Sequence, residues 1–189
     1  MVARFVVGGP PNSGKSTFVM SLVRALQETG VDVYPFDQDI FSPTVDLIAG
    51  RTTPEERQSR KRKISGEEAV RLLNYVAESF RQLSEKHKVV IGDLPGRVSD
   101  DLKPVLKQAT HAIIVCREDK EDEVQEWQGL FDSYQIKIVA IIISKTIGEE
   151  TVSFSDRGPI RAVLTNLNRR TSSSPAIFQI AFLLNHLVE

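Results

Sequence analysis

Residues 9 to 16 read Gly-Pro-Pro-Asn-Ser-Gly-Lys-Ser, the spacing G-x-x-x-x-G-K-[ST] in which a loop backbone, a lysine and a hydroxyl can surround phosphate. Gly9 and Gly14 allow consecutive N–H groups to turn inward, and a following helix adds the partial positive charge of its N-terminus. Lys15 is suited to the β- and γ-phosphates, and the Ser16 hydroxyl to Mg²⁺. Pro10, Asn12, Ser13 and Thr17 complete the expected contacts to a nucleoside triphosphate. The loop follows the apolar run Val2-Ala3-Arg4-Phe5-Val6-Val7 and opens the amphipathic stretch Ser16 to Leu26. It therefore has the order of strand, loop and helix that the chemistry requires.

Further along, Lys88-Val89-Val90-Ile91-Gly92-Asp93 is an apolar strand ending in an acid, the form of a Walker B segment. Asp93 is the expected second magnesium residue, beside Ser16. Asp93-Leu94-Pro95-Gly96 also reads D-x-x-G, and Arg97 directly after it is a candidate cation for the γ-phosphate. Asp37 and Asp39 follow another strand, where a carboxylate can act as general base toward an acceptor hydroxyl or water; Asp37 is the stronger candidate. Asp, Ser and Pro in that stretch also suit a plain turn. Arg57 to Lys63 is a basic segment that could close over an anionic substrate or contact nucleic acid, though solvated helix faces usually look the same.

The apolar run Ile136 to Ile143 is followed by Ser144-Lys145-Thr146-Ile147. Guanine-specific proteins carry N-K-x-D at such a strand end, and here Ile147 stands in the place of the acid. Lys145 could still lie along a base, and Asn166 could meet a purine edge or simply form a turn. ATP is accordingly expected in preference to GTP.

To position these residues the chain needs strands feeding loops at one end. Phe5–Val7, Val31–Tyr34, Lys88–Ile91, His111–Cys116, Ile136–Ile143 and, more weakly, Ile160–Leu164 are apolar and rich in β-branched residues, as strands buried on both faces are. Thr53-Pro54, Ser65-Gly66-Glu67-Glu68, Ser99 and Ser174-Pro175 mark helix starts. Trp127, with Val124, Leu130 and Phe131, marks a buried helical face. The alternation predicts a three-layer, doubly wound α/β sheet, mainly parallel, with ligands beyond the carboxyl ends of its strands. A single domain over residues 1–189 is expected, with a helical insertion at about 51–86.

Composition limits the partners. The chain has 189 residues, 41% of them hydrophobic, and a formal net charge of −1, so overall charge points neither to nucleic acid nor to a membrane surface. Cys116 is the single cysteine and sits in an apolar run, as a buried thiol would. With no disulfide framework, no room for a leader before the first strand and no apolar run long enough to span a bilayer, a cytoplasmic protein is expected.

With these residues assembled, the chain resembles a P-loop NTPase of the nucleotide-kinase, dethiobiotin-synthetase and MinD-like side of the superfamily, most specifically at Gly9 to Thr17 and Val89 to Gly96. It departs from the MinD-like group at Pro10-Pro11, where that group has an additional lysine. The opening Gly8 to Ser16, the Gly96-Arg97 turn and the strand His111 to Val115 are also similar to the kinase-like P-loop domain attached to a CRISPR-associated ring nuclease. The resemblance implies an ATP- and Mg²⁺-dependent kinase or ATPase that transfers a phosphoryl group to water or to an unidentified small-molecule or protein acceptor. A nucleotide switch acting on a protein partner, and a binding module without turnover, are the alternatives; a homodimer is left open.

Overall fold

The computed structural model describes residues 2–39, 44–56, 67–155, 157–167 and 174–188. The basic segment Arg57 to Lys63 and the helix start at Ser65-Gly66 lie outside the described residues. In chain order the elements are β1 (Ala3–Gly8), α1 (Lys15–Glu28), β2 (Val33–Asp37), α2 (Thr44–Ile48), α3 (Glu67–Leu83), β3 (Val89–Asp93), a 3₁₀ turn (Asp100–Leu102) and α4 (Lys103–Leu106). Then come β4 (His111–Arg117), a second 3₁₀ turn (Glu118–Lys120), α5 (Glu123–Ser133), β5 (Lys137–Lys145), β6 (Thr151–Ser153), β7 (Ile160–Thr165) and α6 (Pro175–Val188).

Seven strands form one sheet in the order β2-β3-β1-β4-β5-β7-β6. All neighbours pair in parallel except β6, which runs antiparallel to β7 at the edge. Strand alternation sends Phe5 and Val7 to one face and Val6 to the other, and both faces are covered. Phe18, Val19 and Leu22 of α1 and Ile177, Ile180 and Leu184 of α6 pack on the first face. Val76 and Phe80 of α3, Leu102, Val105 and Leu106 around α4, and Trp127 and Phe131 of α5 cover the second. Burial on both faces explains the unbroken apolar runs of the central strands.

Two strand assignments differ from the sequence reading. β2 starts at Val33, later than expected, because Val31 closes the preceding helix. Gly30 has φ 80° and its N–H bonds the Gln27 carbonyl, while Val31 N–H bonds that of Leu26, a glycine-terminated helix end. β6 carried no sequence signal: three residues at an edge, half polar, show too short an alternation to recognise. The helix start at Thr53 is realised reciprocally, the Thr53 hydroxyl accepting from Glu56 N–H and the Glu56 carboxylate from Thr53 N–H.

The last residue of β1 is held by aromatic packing. A Cβ on Gly8 would overlap the rings of Trp127 and Phe131, so α5 lies directly on the strand that feeds the loop. Gly8→Ala should destabilise the fold by about 1–3 kcal/mol through overpacking. Chemical unfolding in a Trp127→Ala background should show a smaller cost for the same change; an equal cost would deny the contact.

Candidate nucleotide-binding site

The loop between β1 and α1 is built from backbone conformations that side chains other than glycine and asparagine rarely adopt. Gly9, Asn12 and Gly14 have φ of 141°, 61° and 84°. Three bonds hold the loop: Ser13 Oγ donates to the Pro10 carbonyl at 2.8 Å, Lys15 Nζ donates to that carbonyl at 3.1 Å, and Ser144 Oγ donates to the Ser13 carbonyl at 2.9 Å. Ser144 is thus a loop anchor at the end of β5, a role that reading it only as a missing asparagine had passed over. Neighbouring strands crowd the loop as well. A Cβ on Gly9 would overlap the Val115 carbonyl of β4, and one on Gly96 would lie 2.8 Å from Pro11 N.

Lys15 and Ser16 begin α1, with Thr17 in the same first turn. Ser16 Oγ donates to Asp93 Oδ2 at 2.5 Å. Asp93 ends β3, directly beside β1, and its side chain is 3% exposed. Its Oδ1 is buried and has no hydrogen-bond partner. A hydroxyl and a buried carboxylate with a spare oxygen are hard donors that suit Mg²⁺. Among the described residues no group of three or more acids, histidines or cysteines could hold a metal, so phosphate and water oxygens would have to complete such a shell.

Asp37 is brought to the same place by register: Asp37 of β2 pairs with Asp93 of β3. Its two carboxyl oxygens accept from Asp39 N–H and Asp46 N–H, each at 3.2 Å, so it also caps the start of α2. Burial, and next the charge of Asp93, push the Asp37 carboxyl up to about 8. Burial likewise raises Asp93 to about 6, opposed by Lys15 and by the Ser16 hydroxyl. Lys15, 8% exposed, is lowered by burial and held up by Asp93 and then Asp39. The field of Asp39 thus reaches the cluster. Arg97 is exposed and acts on none of these three groups. Gln38 turns to the other face, where its buried side chain lies against Gly92.

A cleft of about 480 Å³ adjoins the loop, lined by Asn12, Ser13 and Gly14 and by the ends of β4, β5 and β7. It is large enough for a nucleoside. Lys145 lines it and pairs with Glu118 at 3.4 Å; Asn166, with φ 52°, forms a turn there through a backbone bond to the Lys145 carbonyl. Glu118 and Asp119 were not anticipated as lining residues. Their position just after a strand beside the loop strand was the available signal.

The raised carboxyls have a consequence for stability. Between the unfolded value of 3.8 and about 8 for Asp37, the folded chain binds more protons than the unfolded one, so stability falls as pH rises through that window. Thermal unfolding of the nucleotide-free protein from pH 4 to pH 8 should show this decline, shallower in Asp37→Asn. Equal slopes would contradict the placement of a buried proton on Asp37.

No protein-family model matches the chain, and no curated protein matches it. Solved structures do. The septum site-determining protein MinD of Pyrococcus horikoshii OT3, complexed with Mg-ADP, superposes with a TM-score of 0.71 at 16% identity, over 99% of this chain and 97% of that one. Cobyrinic acid a,c-diamide synthase of Mycobacterium smegmatis with bound ADP and magnesium gives a TM-score of 0.64 at 16% identity, over 99% and 96%. The kinase domain of the Escherichia coli tyrosine kinase ETK gives 0.55 at 16%, over 82% and 71%. At these identities the likeness is one of fold, and the chain has the α/β fold of P-loop NTPases on the MinD-like side.

Proposed function

We propose that this chain binds ATP with Mg²⁺ and transfers the γ-phosphoryl group to water or to a hydroxyl acceptor. The observation that carries the reading is the buried Ser16–Asp93 hydrogen bond at the foot of the inward-turned loop. It joins a hydroxyl and a carboxylate where a triphosphate cradled by residues 9–16 would need a divalent cation. Mg-ADP in one neighbour of this fold, and ADP with magnesium in another, support the same ligand class. Adenine is preferred because Ile147, 82% exposed, supplies no acid at the end of β5.

In this reading Gly9 to Gly14 hold the phosphates through backbone N–H groups, and Lys15 neutralises their charge. Mg²⁺, held by Ser16 and Asp93, would further offset negative charge on phosphate oxygens and lower the affinity of neighbouring carboxyls for protons. Asp37, adjacent to Asp93 in register, takes the proton of the attacking hydroxyl. The new bond forms between that oxygen and the γ-phosphorus. The bond from the γ-phosphorus to the β–γ bridging oxygen breaks, and ADP leaves with its electron pair. Arg97, exposed on the loop after β3, would have to swing inward to contribute.

The contact of Gly96 with Pro11 favours a second reading, a nucleotide switch, because a change at the phosphates would be felt by the loop after β3. Product analysis separates the two: a switch releases phosphate faster with a protein partner and phosphorylates nothing.

Lys15→Ala should weaken ATP binding about tenfold or more. Asp37→Asn should keep ATP affinity and lose turnover by about 10²–10⁴. Titration of ATP together with phosphate-release and acceptor screens checks both; unchanged affinity in the first variant would refute the phosphate loop, and unchanged turnover in the second the role of base.

A further inference from the structure

β1 has two neighbours, and only one of them has so far supplied the site. β3 brings Asp93 to one flank of the loop; β4 closes the other. There the Val115 carbonyl touches Gly9. The next residue, Cys116, is buried, and its thiol donates to the Lys120 carbonyl at 2.8 Å. That bond folds the 3₁₀ turn Glu118–Lys120 back on the end of β4 and sets Lys120 beside the start of the loop. Burial, followed by the acids Glu123, Glu121 and Asp122, raises the thiol to about 11, so the donor keeps its proton at neutral pH. The ammonium of Lys120 is close enough to Lys15 to disfavour the latter's charge.

The neighbouring cations on this wall are differently placed. Arg117 pairs with Asp119 and Lys145 with Glu118, and all four line the nucleoside-sized cleft. Lys120 does not line that cleft. Its side chain is 33% exposed and pairs with Glu123, itself 33% exposed, at 3.1 Å. A single half-exposed carboxylate is a weak partner for an ammonium. A polyphosphate with several charges on one chain is a stronger one, and it removes the repulsion between the two lysines.

We infer that Lys120 is a second phosphate-binding cation of this site, positioned by Glu123 and released to the polyphosphate chain of a nucleotide when it enters the loop. The assignment rests on the phosphate-loop reading above and extends it to a turn that carries no recognisable motif. Lys120 acts by direct contact with phosphate oxygens; Glu123 is a positioning residue that competes for the same ammonium.

Inorganic tripolyphosphate without metal, titrated at fixed ionic strength, isolates the phosphate chain from base and ribose. Lys120→Ala should weaken its binding about tenfold, Lys120→Arg should stay within about twofold of the unaltered protein, and Glu123→Gln should tighten it about twofold. The opposite signs distinguish contact from packing, since a structural role would make both removals harmful. Unchanged binding in Lys120→Ala, or a loss in Glu123→Gln equal to that in Lys120→Ala, overturns the assignment. Lys15→Ala in the same titration tests the loop independently. If it binds as tightly as the unaltered protein, the phosphate-loop reading fails; if it loses affinity while Lys120→Ala does not, only the assignment of Lys120 fails.

Discussion

Backbone crowding around the first loop is the constraint on which the rest of this structure depends. The loop leaves β1 between the ends of β3 and β4, and it passes so close to both that Gly9 has no room for a Cβ beside Val115 and Gly96 has none beside Pro11. Close approach is what allows N–H groups, and not side chains, to form the anion-binding surface. It also determines what surrounds that surface. Asp93 comes within hydrogen-bond reach of Ser16 because β3 lies directly against β1, with no strand between them. Trp127 and Phe131 press on Gly8 from behind and limit how far the base of the loop can move.

Electrostatics at the same place are unbalanced in a way that favours a ligand. Asp37 and Asp93 share one buried corner with a single buried lysine, and burial drives both carboxyls toward their protonated forms. Lys15 is driven toward its neutral form for the same reason. Each of these groups is more easily charged when a partner of opposite sign arrives. A triphosphate suits Lys15 and a divalent cation suits the carboxyls, so binding of both together relieves a strain that neither relieves alone. The bond between Ser16 and Asp93 is the point where the two requirements meet.

Much of this was legible from particular residues. The eight-residue loop announced its own conformation, because Gly9, Asn12 and Gly14 stand where φ is positive. The strands around it announced themselves as apolar runs, since both faces of the sheet are covered. Thr53 and Glu56 closed the reciprocal cap that their spacing suits. Val31 misled, being apolar and β-branched yet committed to the end of α1 through Gly30. Thr151 to Ser153 gave no warning, because a short edge strand is defined by the neighbour it finds and hardly at all by its own pattern. Ser144 looked like a lost specificity residue and turned out to anchor the loop from a strand far away in sequence.

The amino-acid sequence by itself determined the loop, the strands and helices that flank it, and the apolar faces that demand burial, because each depends on residues within a few turns of one another. Tertiary structure alone decided the order of the strands, and with it every partnership across the site. Asp37 stands next to Asp93 only because β2 pairs with β3 in that register. Lys120 stands near Lys15 only because β4 took the place on the other side of β1. Strand order follows from which apolar surfaces pack best against which helices, a property of the whole chain that no local window contains.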